Sequence, residues 1–247
     1  MSSTMSPSTL FFLCFFFITL CFTNGIQLKI LNNCKDTIWP GILATTGHQT
    51  PSHGGFRLYS TEKVLIDVPE RWSGRIWARQ GCCFDNNSGR GYCESGDCGG
   101  FLHCNGTGGT PPTTLVEMTF GTCESALHYY DVSLVDGFNV PVAMRPEGGA
   151  GCDMVSCAKD LNVFCPSNLV VKKDGKVVAC KSACMAARSD RYCCTGEFAN
   201  PKICKPSVFG HLFKAMCPRA YSYAFDDSSA LKTCRASRYV ITFCPPK

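Results

Sequence analysis

"GRGYCESGDCGGFLHC" spans Gly89 to Cys104. Three cysteines stand among five glycines, one aspartate and one histidine. The stretch reads as a metal site, a reactive thiol centre or a set of covalent staples. Its spacings, Cys93-x4-Cys98 and Cys98-x5-Cys104, lack the paired CxxC pattern of common zinc sites. His103 is a lone imidazole, more often a surface or packing residue than a ligand. Neither a metal nor any other cofactor is expected. Residues 80–112 around the stretch are rich in Gly, Asn and Cys and poor in large aliphatics. Such a segment buries too little to hold itself together, so disulfides take the place of a core. The glycines permit tight turns, and Asp97, between Gly96 and Cys98, is expected to cap one.

Staples require an oxidising compartment, and the amino terminus points to one. Leu10 to Phe22, "LFFLCFFFITLCF", is an uncharged run of thirteen residues. It is short for a membrane span and fits the apolar core of a secretory signal. Its leading flank lacks the usual Lys or Arg. Small residues at Thr23-Asn24-Gly25 place cleavage before Ile26, so residues 1–25 are expected to be removed. Cys14 and Cys21 leave with them, and 18 of the 20 cysteines remain. An even, dense set in a secreted chain reads as a disulfide framework. The chain stops at "FCPPK" without an apolar tail, which argues against a lipid anchor. The expected protein is soluble, is secreted to the extracellular space, apoplast or vacuole by the plant secretory route, and is monomeric. Asn86-Asn87-Ser88 and Asn105-Gly106-Thr107 are candidate glycosylation sequons.

Outward from the small lobe the pattern is short apolar alternation broken by Gly, Pro, Asn and Ser. "IQLKIL", "KVLIDV", "GRIWAR", "TLVEMTF", "YYDVSL" and "RYVITF" read as strands. The expected fold is all-β: an antiparallel β-sandwich core with two small disulfide-rich lobes. The core takes residues 26–79, 113–158 and 218–247, and the stapled lobe 80–112. Residues 159–217 form the second lobe, which contains short helices. Lys173-Asp174-Gly175 between two β-branched runs signals a hairpin. "CKSACMAARSD" and "VFGHLFKAMC" have helical spacing.

Charge is uneven. Residues 159–217 hold ten Lys and Arg against four Asp and Glu, a balance of +6 against +5 for the whole chain, leaving −1 elsewhere. This basic lobe is either an ordinary solvated surface or a means of attraction to anionic cell surfaces. Its Lys are not interleaved with stacking aromatics, so nucleic acid is not an expected partner.

The Gly89–Cys104 stretch resembles the signature of the thaumatin-like proteins, plant defence proteins of pathogenesis-related group five. Ser95 departs from it, standing where the signature usually has Thr. The resemblance extends from Ile26 to the C-terminus through "NNC", "IWAR", "PPTTLVE", "YYDVSLVDGFNVP", "YCCTG", "CPRAYSYAFDD" and "FCPP". It implies a flattened sandwich with two disulfide-rich lobes. It also implies eight pairings: Cys34–Cys244, Cys82–Cys93, Cys98–Cys104, Cys152–Cys234, Cys157–Cys217, Cys165–Cys180, Cys184–Cys193 and Cys194–Cys204. Cys83 and Cys123 fall outside the common pattern. A ninth bridge between them is expected, since side chains of consecutive residues in an extended segment diverge. Two free thiols are the alternative.

The resemblance further implies an acidic cleft between the core and the basic lobe. Its matching residues here are Arg75, Glu117, Asp131, Asp136 and the pair Asp226 and Asp227, of which Asp226 is favoured. Alternation supports three of them independently. Val116, Met118 and Phe120 share one face, leaving Glu117 opposite. Tyr130, Val132 and Leu134 leave Asp131 with Ser133, and Ile76 and Ala78 leave Arg75. By strand pattern alone, each is equally an ordinary outward charge.

Three functions follow from the resemblance. One is an antifungal protein that binds cell-wall β-1,3-glucan at the fungal surface. Another is a weak endo-β-1,3-glucanase using the same cleft, with Glu117 as acid, Asp131 as base or nucleophile and Arg75 orienting a carboxylate. The third is a glycosidase inhibitor, or a stress or allergen protein without cleft activity.

Overall fold

The computed structural model describes residues 25–121 and 127–246. The signal segment, save Gly25, and Cys14, Cys21 and Cys123 lie outside the described residues. Among those described, no helix is long and apolar enough to cross a membrane.

The chain opens with β1 (Ile26–Asn32), β2 (Trp39–Ala44), β3 (Lys63–Val68) and β4 (Ser73–Arg79). The small lobe adds the two-residue strands β5 (Cys83–Phe84) and β6 (Gly91–Tyr92). Then come β7 (Leu115–Thr119), β8 (His128–Ser133), β9 (Val142–Glu147) and β10 (Val155–Cys157). The hairpin β11 (Val170–Lys173) and β12 (Lys176–Cys180) precedes the helices α1 (Ala183–Ala187), α2 (Asp190–Cys193) and α3 (Val208–Met216). The helix α4 (Asp227–Ala230) leads into β13 (Lys232–Cys234) and β14 (Arg238–Phe243).

Two five-stranded sheets form the body, in the orders β10-β9-β14-β1-β3 and β13-β8-β7-β4-β2. Pairing within them is antiparallel except between β1 and β14, which run parallel. Leu28, Ile30, Ile241 and Phe243 face Ile42, Ile76, Val116 and Val132 in one core, all fully buried. Each such side chain contributes about 1.5–3 kcal/mol by leaving water. All six motifs form strands, and the core-side residues read in β4, β7 and β8 are buried.

The second sheet also has an outer face, and the small lobe covers part of it. Trp77 is fully buried there with Leu115, Cys98 and Cys104, in a cluster separate from the main core. The indole lies between backbones: a Cβ on Gly41 would come within 2.3 Å of the ring, and one on Gly109 within 2.5 Å. Its Nε1 donates to the Gly96 carbonyl at 2.9 Å.

Arg79 fastens the lobe beside it. Its guanidinium is fully buried and donates to the carbonyls of Trp39 (2.9 Å), Phe101 (2.8 Å) and Leu102 (2.8 Å). Burial pulls its pKa down to about 10, against the opposing pull of Asp97. Asp97 Oδ2 accepts the Gly100 N–H at 2.8 Å, which is the turn capping expected of it.

Eight disulfides join the described cysteines. Cys34–Cys244 links the ends of β1 and β14 across 210 residues. Cys82–Cys93 and Cys98–Cys104 close the small lobe. Cys152–Cys234 and Cys157–Cys217 bind distant segments to the body. Cys165–Cys180, Cys184–Cys193 and Cys194–Cys204 lie within residues 159–217. These are the pairs that the resemblance implies. Cys83 is exposed and has no partner among the described residues, and the expected bridge to Cys123 falls on a residue outside them. Cys83 lies on β5, opposite Tyr92 of β6.

The helices are short because local caps start and stop them. Ser182 caps α1 by accepting the Met185 N–H, and Arg188 ends it in the left-handed region. Ser207 caps α3, whose Phe213 is buried. Asp174 (φ 46°) and Gly175 (φ 78°) form the turn of the β11–β12 hairpin, as two positive φ angles suit a tight hairpin.

Candidate functional site

The uncovered part of the same outer face carries the charged residues. Register places Arg75 of β4 opposite Glu117 of β7, and Glu117 opposite Asp131 of β8. The three form one row across adjacent strands, with neighbouring Cβ atoms about 4.5–5.5 Å apart. Their strand neighbours Ile76, Val116, Met118, Tyr130 and Val132 are buried on the core side. The strand period therefore lifts all three charges from one face.

Arg75 and Glu117 line a cavity of about 780 Å³. Its far wall is the Thr45–His48 loop, with Thr50 and Gly106. Its rim includes Ser73 and Thr119, whose hydroxyls are 2.8 Å apart. Asp131, next in the row, does not line that cavity. The polar wall residues were not singled out from sequence, although the run "TTGHQT" (Thr45–Thr50) has the donors and acceptors for the task.

Burial and neighbouring charge set the protonation of the row. Burial pushes the Glu117 carboxyl up and Asp136 adds to this, while Arg75 opposes it. Asp131 is pushed up to about 8, chiefly by burial, with Glu117 and Asp227 adding to it. Asp131 Oδ1 is buried without a hydrogen-bond partner, an environment that penalises an ionised oxygen. At neutral pH Asp131 therefore holds its proton, and Arg75 opposes the rise at Glu117.

Asp136 lies in the turn after β8, where its carbonyl accepts the Thr113 N–H at 2.9 Å. Its charge reaches Glu117. The choice between the remaining two aspartates is corrected by the structure. Asp226 is buried. Its Oδ2 meets Lys214 Nζ at 2.7 Å and the Ser222 N–H at 2.9 Å, and its Oδ1 accepts from Ser229 Oγ at 2.5 Å. Burial alone would raise its pKa, but Lys214, Ser229 and the Ser222 N–H outweigh it and leave the carboxyl below the ordinary value. All of its hydrogen-bonding capacity goes into the fold. Asp227 is exposed, accepts the Tyr221 hydroxyl at 2.7 Å and acts electrostatically on Asp131. Of the two, Asp227 is the one whose charge reaches the row at Asp131. Tyr221 itself extends the sheet edge, bridging to Ser133 in parallel, and sequence reasoning did not identify it.

The site is thus an acidic surface with one arginine at its end, floored by three strands and adjoining an open polar cavity. Among the described residues, no group of three or more His, Cys, Asp or Glu side chains is arranged to hold a metal ion.

Comparison with known proteins agrees with this architecture. The chain is 48% identical over 237 residues to "Thaumatin-like protein" of Arabidopsis thaliana, covering 95% of this chain and 96% of that one. It is 45% identical over 226 residues to "Pathogenesis-related thaumatin-like protein 3.5" of Cryptomeria japonica, covering 91% and 92%. The solved structure of the thaumatin-like xylanase inhibitor TLXI shares the fold, with a TM-score of 0.50 at 24% identity over 88% of this chain and 99% of that one. The model of the thaumatin family matches residues 32–245, and the chain belongs to that family.

Proposed function

We propose that this protein is a secreted plant defence protein that binds β-1,3-glucan of the fungal wall in the acidic cleft. The cross-strand row Arg75–Glu117–Asp131 carries this reading. Sugar hydroxyls donate to carboxylates and accept from a guanidinium, so the row offers both halves of the exchange on one rigid floor. Ser73 and Thr119 at the rim extend it with hydroxyls. The eight disulfides suit the secretory route and the extracellular space. Eight of the ten Lys and Arg in residues 159–217 are exposed, which favours approach to an anionic cell surface.

Binding is favoured over hydrolysis for a geometric reason. Glycoside cleavage needs an acid and a base or nucleophile flanking the bond. Glu117 and Asp131 instead stand side by side on one sheet face, where a bound glucan meets both from the same side. A hydrolytic role would take Asp131 as the protonated acid and a second carboxylate as its partner, for which Asp227, whose charge reaches Asp131, is the candidate.

Incubation with insoluble β-1,3-glucan tests the proposal. Co-sedimentation without new reducing ends is the expected result. New reducing ends would transfer the assignment to the glucanase reading, and absence of both sedimentation and turnover would sink it.

A further inference from the structure

One of the two sequons sits at the wall of the cleft. Asn105 is exposed and lies in a turn, and the next residue, Gly106, lines the 780 Å³ cavity with Arg75 and Glu117. Two residues later, a Cβ on Gly108 would lie 3.3 Å from Nη2 of Arg75. The turn is held in place. The Asn105 N–H donates to the His53 carbonyl at 3.2 Å. His103 Nδ1 is 2.9 Å from the Gly55 carbonyl, the His53 and His103 rings are 5.5 Å apart, and Cys104 is bonded to Cys98. The other sequon differs. Asn86 is exposed in the turn between β5 and β6, and neither it nor Ser88 lines the cavity.

We propose that Asn105 carries an N-linked glycan whose first sugars cover the Arg75 end of the cleft and compete there with wall glucan. The inference rests on the glucan-binding reading above. The modification belongs to the route that forms disulfides. A lipid-pyrophosphate-linked oligosaccharide supplies the sugar. The Asn105 Nδ2–C1 bond forms as the C1–oxygen bond to phosphate breaks, an amide proton is lost and the lipid pyrophosphate leaves. The attached glycan then acts as a tethered ligand. A short tether holds it near the cleft at an effective concentration on the order of millimolar, enough to compete even when each sugar binds weakly. Because the root is pinned, the glycan stays at the cleft mouth. Glycan state thus sets how strongly the protein engages glucan.

The test uses the full chain made in a glycosylating secretory host, with glycopeptide mass spectrometry at Asn105. Binding to soluble laminari-oligosaccharides is measured by calorimetry for wild type, Asn105→Gln, Thr107→Ala and Asn86→Gln. Thr107→Ala removes the sequon while leaving Asn105 at its positive φ (46°), so it guards against strain in the Gln variant. The expected result is an occupied Asn105, with affinity about three- to tenfold higher in the Asn105→Gln and Thr107→Ala proteins, and Asn86→Gln equal to wild type. Enzymatic removal of the glycan from wild type should give the same gain. An unmodified Asn105, or equal affinities with and without its glycan, overturns the gate and leaves glucan binding standing. An occupied Asn105 with no binding by any of the four proteins overturns both.

Discussion

Glu117 on β7 and Asp131 on β8 are direct cross-strand partners, and the Asp131 carboxyl is pushed up to about 8 by burial and by its neighbours. Their roles in binding therefore differ. Glu117→Ala removes the acceptor beside Arg75 and should weaken glucan binding about tenfold, as expected when Arg75 loses its neighbouring carboxyl. Asp131→Asn replaces a group already neutral and should leave affinity at pH 6 within about twofold. Sedimentation isotherms with insoluble β-1,3-glucan measure both. Equal losses from the two would contradict the assigned protonation.

Stability should carry the signature of the same proton. Asp131 has its pKa raised from 3.8 to about 8 in the folded chain. Between those values the folded state holds a proton that the unfolded chain releases, so stability from this group falls as pH rises through that window. It is fully present below the unfolded pKa and gone above the folded one. Burial shifts Glu117 in the same direction. Asp131→Asn should raise Tm near pH 8 and flatten the decline. Scanning calorimetry from pH 4 to 8 gives the answer, and a variant curve parallel to wild type would refute it.

Neighbouring aspartates should separate cleanly. Asp226→Asn leaves Lys214 without its charge partner in a partly exposed network and should cost about 1–3 kcal/mol. Asp227→Asn should change stability by less than about 0.5 kcal/mol, as an exposed substitution does. By removing a negative neighbour it should also lower the Asp131 pKa. Denaturant unfolding and carboxyl NMR titration report the two effects independently.

Arg79 predicts a third kind of loss. Arg79→Met strands the carbonyls of Trp39, Phe101 and Leu102 in a buried site. The expected cost is about 3 kcal/mol or more. Hydrogen exchange should show residues 80–112 losing protection before the sandwich does. Uniform loss would mean that the lobe is not held through this side chain.

Cys83 gives a chemical test. As an exposed free thiol, it should react with an aromatic disulfide reagent in the native protein. A bridge to Cys123 would leave it unreactive, and Cys83→Ser would then lower Tm.

Six of the ten strands of the body were legible because a half-buried strand imposes a period of two, as at Val116, Met118 and Phe120 of "TLVEMTF" and Tyr130, Val132 and Leu134 of "YYDVSL". The same period brought out Glu117 and Asp131. β2 was not legible, because Pro40 and Gly41 read as breakers. It lies at a sheet edge, where Pro is tolerated, and its glycine makes room for Trp77. Asp226 and Asp227 could not be told apart as consecutive residues, since their roles depend on Lys214 and Tyr221, brought in from elsewhere. Nor could alternation say where the proton lies. It shows which face a carboxyl takes, whereas its depth of burial depends on the walls around it.

The parallel pairing of β1 with β14 has a consequence for how the protein is made. β14 is the middle strand of its sheet, and it follows every other strand of the body in chain order. Until it is made, β1 lacks one of its two neighbours and Cys34 lacks its partner. The body of the protein therefore closes only after β14 has been made, a long-range step of the kind that folds slowly. A chain cut short before Arg238 should remain open to proteases and disulfide exchange, however sound its cleft-forming strands are.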